Sequence, residues 1–474
     1  MDFESLLQFA LAKARNLGAT YADIRFESSI GESVQAEDGK PKEASRGYDA
    51  GFGVRALAGG SWGFASVNGS ESIAKDELFA AVLVAIKNAK AAAKASKPMA
   101  LEQMAFSGKY ETNVKINPFK VPLEERMSLV VDASKEMSSH KGVRMSDAKI
   151  GFETVHKVFC STEGSMIFQD LTFTLGLLTA VAQKGGITDY YLETEGGQKG
   201  YESVTKDFDF IAGADFCARQ ALALVSAKSV KPRETAVVID PDAMGLVVHE
   251  IIGHPSEADR VLGWEAAWAG TTWWADKVGK QVGAEGVTVV SDASIPGYLG
   301  SFGFDDEGIP AQRIVHLDHG VLTDFMHSRE TAAATNSKPN GCMRAVSPRM
   351  APLIRMTNTY MEAGNWKKDE IIEETKDGVY ICGHHTPSID AKRYNFQIKC
   401  KIAYEIKDGE IGAPLRGVSI TGTSDRFWSS VDAVADDVLM RPVPNCGKGD
   451  PMQTCMVGNG GPHIRARARV LGLA

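Results

Sequence analysis

The chain has 474 residues, with 44% hydrophobic and 24% charged side chains. That balance excludes a disordered or fibrous chain, and the length suits roughly two to four domains of about 100–200 residues each. Lys and Arg total 52 against 60 Asp and Glu, a net charge of −8. With no dense basic stretch, this charge argues against a nucleic-acid partner.

Residues 3–17 place Phe3, Leu6, Leu7, Ala10, Ala14 and Leu17 at helical spacing, with Gly18 as a C-terminal stop. Residues 20–36 and 46–67 read as strands, with Gly59-Gly60 at a turn. An Ala- and Lys-rich helix is expected over 72–96 and a second over 123–139, joined by a polar connector around 105–120. KNAKAAAKASK (87–97) and RARAR (465–469) read as solvated faces. Antiparallel strands follow over 143–205, then a helix over 211–227.

Composition shifts at KSVKPRE, which places a domain boundary near residue 230. Beyond it, TAVVID (235–240) reads as a buried strand, as do VTVVSD (287–292), NFQIKCKIAYEI (395–406) and GVSITG (417–422). Helices are expected at 241–253, 367–375 and 425–438. The fold class is α+β: an N-terminal domain of helices on a sheet (1–230), then a strand-rich C-terminal domain (231–474).

Seven widely spaced cysteines without a CxxC point to free thiols in a reducing compartment. The N-terminal stretch carries two acids in its first four residues and no apolar signal-peptide core. No run approaches the ~18–20 apolar residues that span a bilayer. These readings predict a cytoplasmic protein without a membrane partner.

The most informative segment is His249-Glu250-Ile251-Ile252-Gly253-His254-Pro255. Two imidazoles flanking a carboxylate suit a divalent metal, with the carboxylate placed to take a proton from water. The spacing is HExxxH, one residue longer than the HExxH that puts both histidines on one helix face. On a regular helix five residues advance about 500°, leaving the rings roughly 140° apart. A π-bulge brings them back together; so does a helix end at His254, which Gly253 and Pro255 favour. A third protein ligand is expected. Cys446 and Cys455, in Gly-rich loops, are thiol candidates, and Glu257, Asp259, His384 and His385 are others.

The sequence resembles the TldD/PmbA metalloprotease family, in its TldD-type, HExxxH-containing form. The resemblance rests on HEIIGHPSEAD (249–259), FDDEGIPAQR (304–313) with HLDHGVLTDFM (316–326), PRMAPLIRMTNTYMEAGNW (348–366), YEIKDGEIGAPLRGVSITG (404–422) and NCGKGDPMQTCMVGNGGPHIR (445–465). GFGVRALAGGSWGFASVNG (51–69) also fits, so the match spans nearly the whole chain. It implies one zinc per subunit held by His249, His254 and Cys446, with Glu250 as general base. It implies hydrolysis of unfolded, extended or modified peptides, in a homodimer or a heterodimer with a PmbA/TldE-like subunit. The segment after CGK, GDPMQTC, is longer than the family pattern and keeps Cys455 open as the third ligand. An amidase of the same metal chemistry and a non-catalytic scaffold are the competing readings; the intact Glu250 argues against the scaffold. Asn358, Thr359, Asp305 and Asp306 are candidate cleft residues, and Trp264, Trp268, Trp273 and Trp274 candidate chamber walls or core. There is no GxGxxG between strand and helix and no GxxxxGK[ST], and GNGG (458–461) has no helix after it.

Overall fold

A computed structural model describes residues 2–92, 105–267 and 270–472. Trp268 and the expected helical residues 93–96 lie outside the described residues. The N-terminal part is α1 (Phe3–Asn16), β1 (Tyr21–Glu37), β2 (Lys40–Ala58), β3 (Ser61–Asn68), α2 (Lys75–Ala92), β4 (Ser107–Glu111), α3 (Leu123–Ser139), β5 (Val143–Ser161), β6 (Met166–Lys184), β7 (Ile187–Gly197) and α4 (Phe210–Ser226). Its sheet runs β3-β2-β1-β5-β6-β4, with β7 also on β6. The strands β1, β2, β5 and β6 are long enough to carry two separate cores on one sheet. Helices α1 and α2 cover Ile24, Phe26, Phe52 and Val54. Helices α3 and α4 cover Ile150, Phe152, Leu178 and Ala180 further along. The α2 packing requires Gly63, where an added Cβ would sit 2.0 Å from the Ala85 carbonyl oxygen.

The C-terminal part is mostly strand. Ten short strands form a mixed sheet around Arg233–Ile239, and six more form a second sheet ending in Asn358–Met361, Gln453–Gly461 and Leu439–Lys448. Between them lies an apolar core that includes Val237, Ile239, Met244, Val248, Ile252, Met356 and Val457. Helix α5 (Pro241–Val248) runs through this core, capped by the Asp240 carboxylate on Ala243 N–H at 2.8 Å. The architecture is α+β, as expected.

Charged contacts join the two parts. Arg55 pairs with Glu307 at 3.0 Å, Lys157 with Asp306 at 2.6 Å, Arg329 with Glu163 at 2.8 Å, and Arg441 with Glu193 and Glu195. Among the described residues no helix is long and apolar enough to cross a membrane.

Three expectations need correction. Residues 425–438 are not one helix: Ser424–Ser429 is helical, and Ala433–Val434 then pair with Arg465–Ile464. The buried Val431, Val434 and Ala435 are recruited by that edge and not by a helix face. NFQIKCKIAYEI is two strands, because Asn395–Lys399 pairs with Ser419–Thr423 whereas Ile402–Lys407 pairs with Asp377–Cys382. The connector around 105–120 contains β4, which runs parallel to β6.

Candidate metal centre

Helix α5 does not continue regularly through the HExxxH segment. His249–Gly253 form a π-turn, with His254 N–H donating to the His249 carbonyl, and a 3₁₀ turn follows at His254–Ser256. The extra residue per turn closes the angular gap between the histidines. Their rings lie 4.8 Å apart at 90°. Gly253 permits the turn to press on Met356: an added Cβ would sit 2.0 Å from its sulfur.

The third group comes from the adjacent sheet. Cys446 Sγ lies 3.6 Å from His254 Nε2, and the donor atoms of His249, His254 and Cys446 all lie within 4.8 Å of one another. All three are buried. Cys455 sits opposite Cys446 in the strand ladder, with its thiol directed at the Met456 carbonyl. The other candidates are engaged elsewhere. His384 bonds the Asp242 carbonyl at 2.8 Å, His385 packs on Tyr190, and Asp259 holds Lys448 at 2.8 Å. Glu257 bonds His254 Nδ1 at 3.2 Å and so orients that imidazole.

Outer hydrogen bonds select the tautomers. Asn459 Nδ2 donates to the Thr359 carbonyl, which leaves its Oδ1 to accept from His249 Nδ1 at 3.0 Å. His254 Nδ1 donates to Glu257 Oε2. With Nδ1 engaged in each ring, Nε2 is the nitrogen directed at the Cys446 sulfur and available to a metal once it is unprotonated. Glu257 is fully buried between Lys448 and Arg260, each 3.2 Å away. Burial opposes its charge, but Lys448, His254 and Arg260 hold its carboxyl well below the usual range. Arg355 grips the carbonyls of Cys446 and Gln453 and so fixes the thiol-bearing strand.

Electrostatics pair a thiolate with a protonated imidazole. Burial raises the Cys446 thiol, but His249 and His254 outweigh it and bring it well below its usual value. Burial depresses His249, yet the Cys446 charge and hydrogen bond lift it to about 9, so it carries a proton that metal binding would displace. Burial raises Glu250, and the charges of His254, His249, Arg393 and Arg260 reverse this and hold it ionised. Two imidazoles and a thiolate, buried and convergent, fit a borderline-soft divalent ion such as zinc.

Three models of one family match the chain in succession: PmbA/TldA metallopeptidase domain 1 over residues 22–93, the central domain over 116–228 and the C-terminal domain over 232–472. The last alone spans more than half of the chain. The chain belongs to the PmbA/TldD metallopeptidase family. It is 32% identical over 454 residues to a metalloprotease of Methanocaldococcus jannaschii, covering 95% of this chain and 96% of the other. It is 28% identical over 468 residues to a zinc metalloprotease TldD homolog of Saccharolobus solfataricus, covering 98% of each. Two solved structures share the fold at 18% identity. One, a Thermotoga maritima protein described as a candidate modulator of DNA gyrase, has a TM-score of 0.81 over 99% of this chain and 100% of its own. TldE of Thermococcus kodakarensis has a TM-score of 0.78 over 99% of each.

The remaining candidates divide. Asn358 bonds the Asp292 carbonyl and Ser301, and Thr359 bonds Ser291, so both are strand-locking residues. Asp305 caps a turn through Ile309 and Met343 N–H. Asp305 and Asp306 also line a cavity of about 300 Å³ against β5 and β6. Trp274 is fully buried, donating to the Pro255 carbonyl at 3.0 Å, while Trp264 is exposed. Asn459 and Arg393 were not legible as site residues. Asn459 lies within GNGG, which the sequence offered only as a glycine-rich stretch with no helix after it.

Proposed function

We propose that the chain is a zinc-dependent peptidase for unfolded or extended peptides, with His249, His254 and Cys446 as the protein ligands and Glu250 as general base. The observation that carries this reading is the convergence of two Nε2 atoms and one thiolate beside a buried carboxylate. When bound there, zinc supplies a Lewis acid that activates water and polarises the peptide carbonyl. The Glu250 carboxylate accepts the water proton and delivers it to the leaving amine nitrogen. Asn459 and Glu257 keep the imidazoles oriented throughout. The surrounding apolar core, with Val248, Ile252 and Met356, keeps bulk water from these groups.

The same proposal takes residues 1–230 and 231–474 as the two structural units. It places the protein in the cytoplasm, as a homodimer or paired with a PmbA/TldE-like subunit; the family membership and the fold shared with TldE support that pairing. The experiment is Glu250→Gln. The variant is expected to retain zinc while peptide cleavage falls by about 10²- to 10⁴-fold. Cleavage at the parent rate would refute the role of Glu250.

A further inference from the structure

Helices α3 and α4 share a core that includes Ala133, Met137, Ala214 and Ala218. At its rim, Glu136 and His140 stand four residues apart, which places them on one face at the end of α3. His140 is where α3 stops. Its backbone turns extended, its N–H donates to the Met137 carbonyl, and its own carbonyl accepts from Val143 N–H. Asp215 reaches the same point from α4. Arg219, one turn further along α4, holds Asp215 Oδ2 at 2.7 Å, and Oδ1 is the oxygen nearest His140. His140 Nε2 lies 3.1 Å from Asp215 Oδ1 and 3.7 Å from Glu136 Oε1. The three donor atoms all lie within 4.8 Å of one another.

This differs from a histidine that merely bridges two acids. At His156, Nδ1 meets Asp170 at 2.7 Å and Nε2 faces Glu71 at 3.7 Å, one acid to each nitrogen. At His140 both acids face the same nitrogen. A proton on Nε2 can serve Asp215, but Glu136 at 3.7 Å is beyond hydrogen-bond reach. A divalent ion serves all three donors at once. With bonds of about 2.1 Å to nitrogen and oxygen, tetrahedral zinc holds its ligands about 3.4 Å apart, and both distances from Nε2 lie within about 0.3 Å of that. The negative end of the α3 dipole adds to the attraction. The three side chains are half-buried, which leaves water access to the fourth position.

We propose that Glu136, His140 and Asp215 form a second metal site, which takes zinc or a similar first-row divalent ion and clamps α3 to α4. One imidazole and two carboxylates, without a thiolate and open to water, bind more weakly than the buried centre, with a Kd of roughly micromolar order. Purification strips an ion held this weakly, so the zinc of the purified chain reports the buried centre. Occupancy of the second site does not depend on the peptidase reading.

The test is a calorimetric zinc titration of the zinc-loaded chain, as the parent, His140→Ala, Glu136→Gln and His156→Ala. The parent and His156→Ala should each take up one further equivalent. His140→Ala should lose it, and Glu136→Gln should bind at least about tenfold more weakly. The added zinc should raise the thermal unfolding midpoint of the parent and leave that of His140→Ala where it was. Magnesium prefers a full set of oxygen ligands and keeps its waters, so it should not compete. No further equivalent in the parent at about 1 mM free zinc, far above the expected Kd, would overturn the proposal. So would an equivalent that persists unweakened in His140→Ala or Glu136→Gln, its loss in His156→Ala, or equal competition by magnesium.

Discussion

Gly253→Ala tests whether the π-turn geometry is set by packing. The new Cβ would lie 2.0 Å from Met356 Sδ, 3.1 Å from its Cγ and 3.4 Å from its Cε. Carbon contacts settle at about 3.5–4.0 Å, so one side must move by about 1.5 Å. Met356 is fully buried, and its carbonyl is held by Arg344 at 3.0 Å. Its neighbour Arg355 grips the Cys446 carbonyl. A displacement thus reaches His254 from one side and Cys446 from the other, in a site that tolerates about 0.5 Å. Overpacking of this size costs about 1–3 kcal/mol. Alanine recovers about 0.5–1 kcal/mol of helical propensity over glycine. The expected result is a net loss of about 0–2.5 kcal/mol in denaturant unfolding. Competition with a chelator should show zinc affinity at least about tenfold weaker. Met356→Ala added to Gly253→Ala should restore zinc affinity, with a coupling of about 1 kcal/mol or more. Unchanged zinc affinity in Gly253→Ala, or no restoration in the double variant, would refute the reasoning.

Lys448 is fully buried between Asp259, Glu257 and the Ile354 carbonyl. Lys448→Met removes the cation from the Asp259 carboxylate and one of the two from Glu257, which keeps Arg260, and should cost about 3–5 kcal/mol in denaturant unfolding; a loss under about 1 kcal/mol would contradict the network. His316 accepts from Ser291 through Nε2 and donates to the Asp324 carbonyl through Nδ1, and burial pushes it down to about 4. The unfolded chain protonates this residue near pH 6.5 while the folded one stays neutral. Stability is therefore intact above pH 6.5 and lost as pH falls toward 4, by about 3 kcal/mol in all. His316→Gln should flatten that acid limb relative to the parent in unfolding midpoints measured across pH. Parallel limbs would contradict the assignment.

Local periodicity carried most of the N-terminal half. Helix α3 spans the expected 123–139, and α1 and α4 end within a residue of their expected bounds. Their apolar stripes face one sheet, so pattern and burial agree. The C-terminal half was harder because its short strands change partners within a few residues, as the chain does between Lys399 and Ile402. No local pattern encodes that exchange. At the candidate metal centre, Gly253 and Pro255 announced an irregular turn, and the π-turn answers the HExxxH spacing. Cys446 was reachable through its CGK context but not through any period, since about 190 residues separate it from His254. Asn459 and Arg393 act across 210 and 143 residues, respectively, and only the assembled sheets bring them to His249 and Glu250.

The central claim is that His249, His254 and Cys446 hold one metal ion, and elemental analysis of purified variants tests it most directly. The parent and Cys455→Ala should each carry about one zinc per chain, as expected of a site with three protein ligands. His254→Ala and Cys446→Ala should carry almost none while keeping the parent's circular dichroism. A parent that takes up no metal when zinc is supplied, or a Cys446→Ala variant that retains full zinc while Cys455→Ala loses it, would contradict the account.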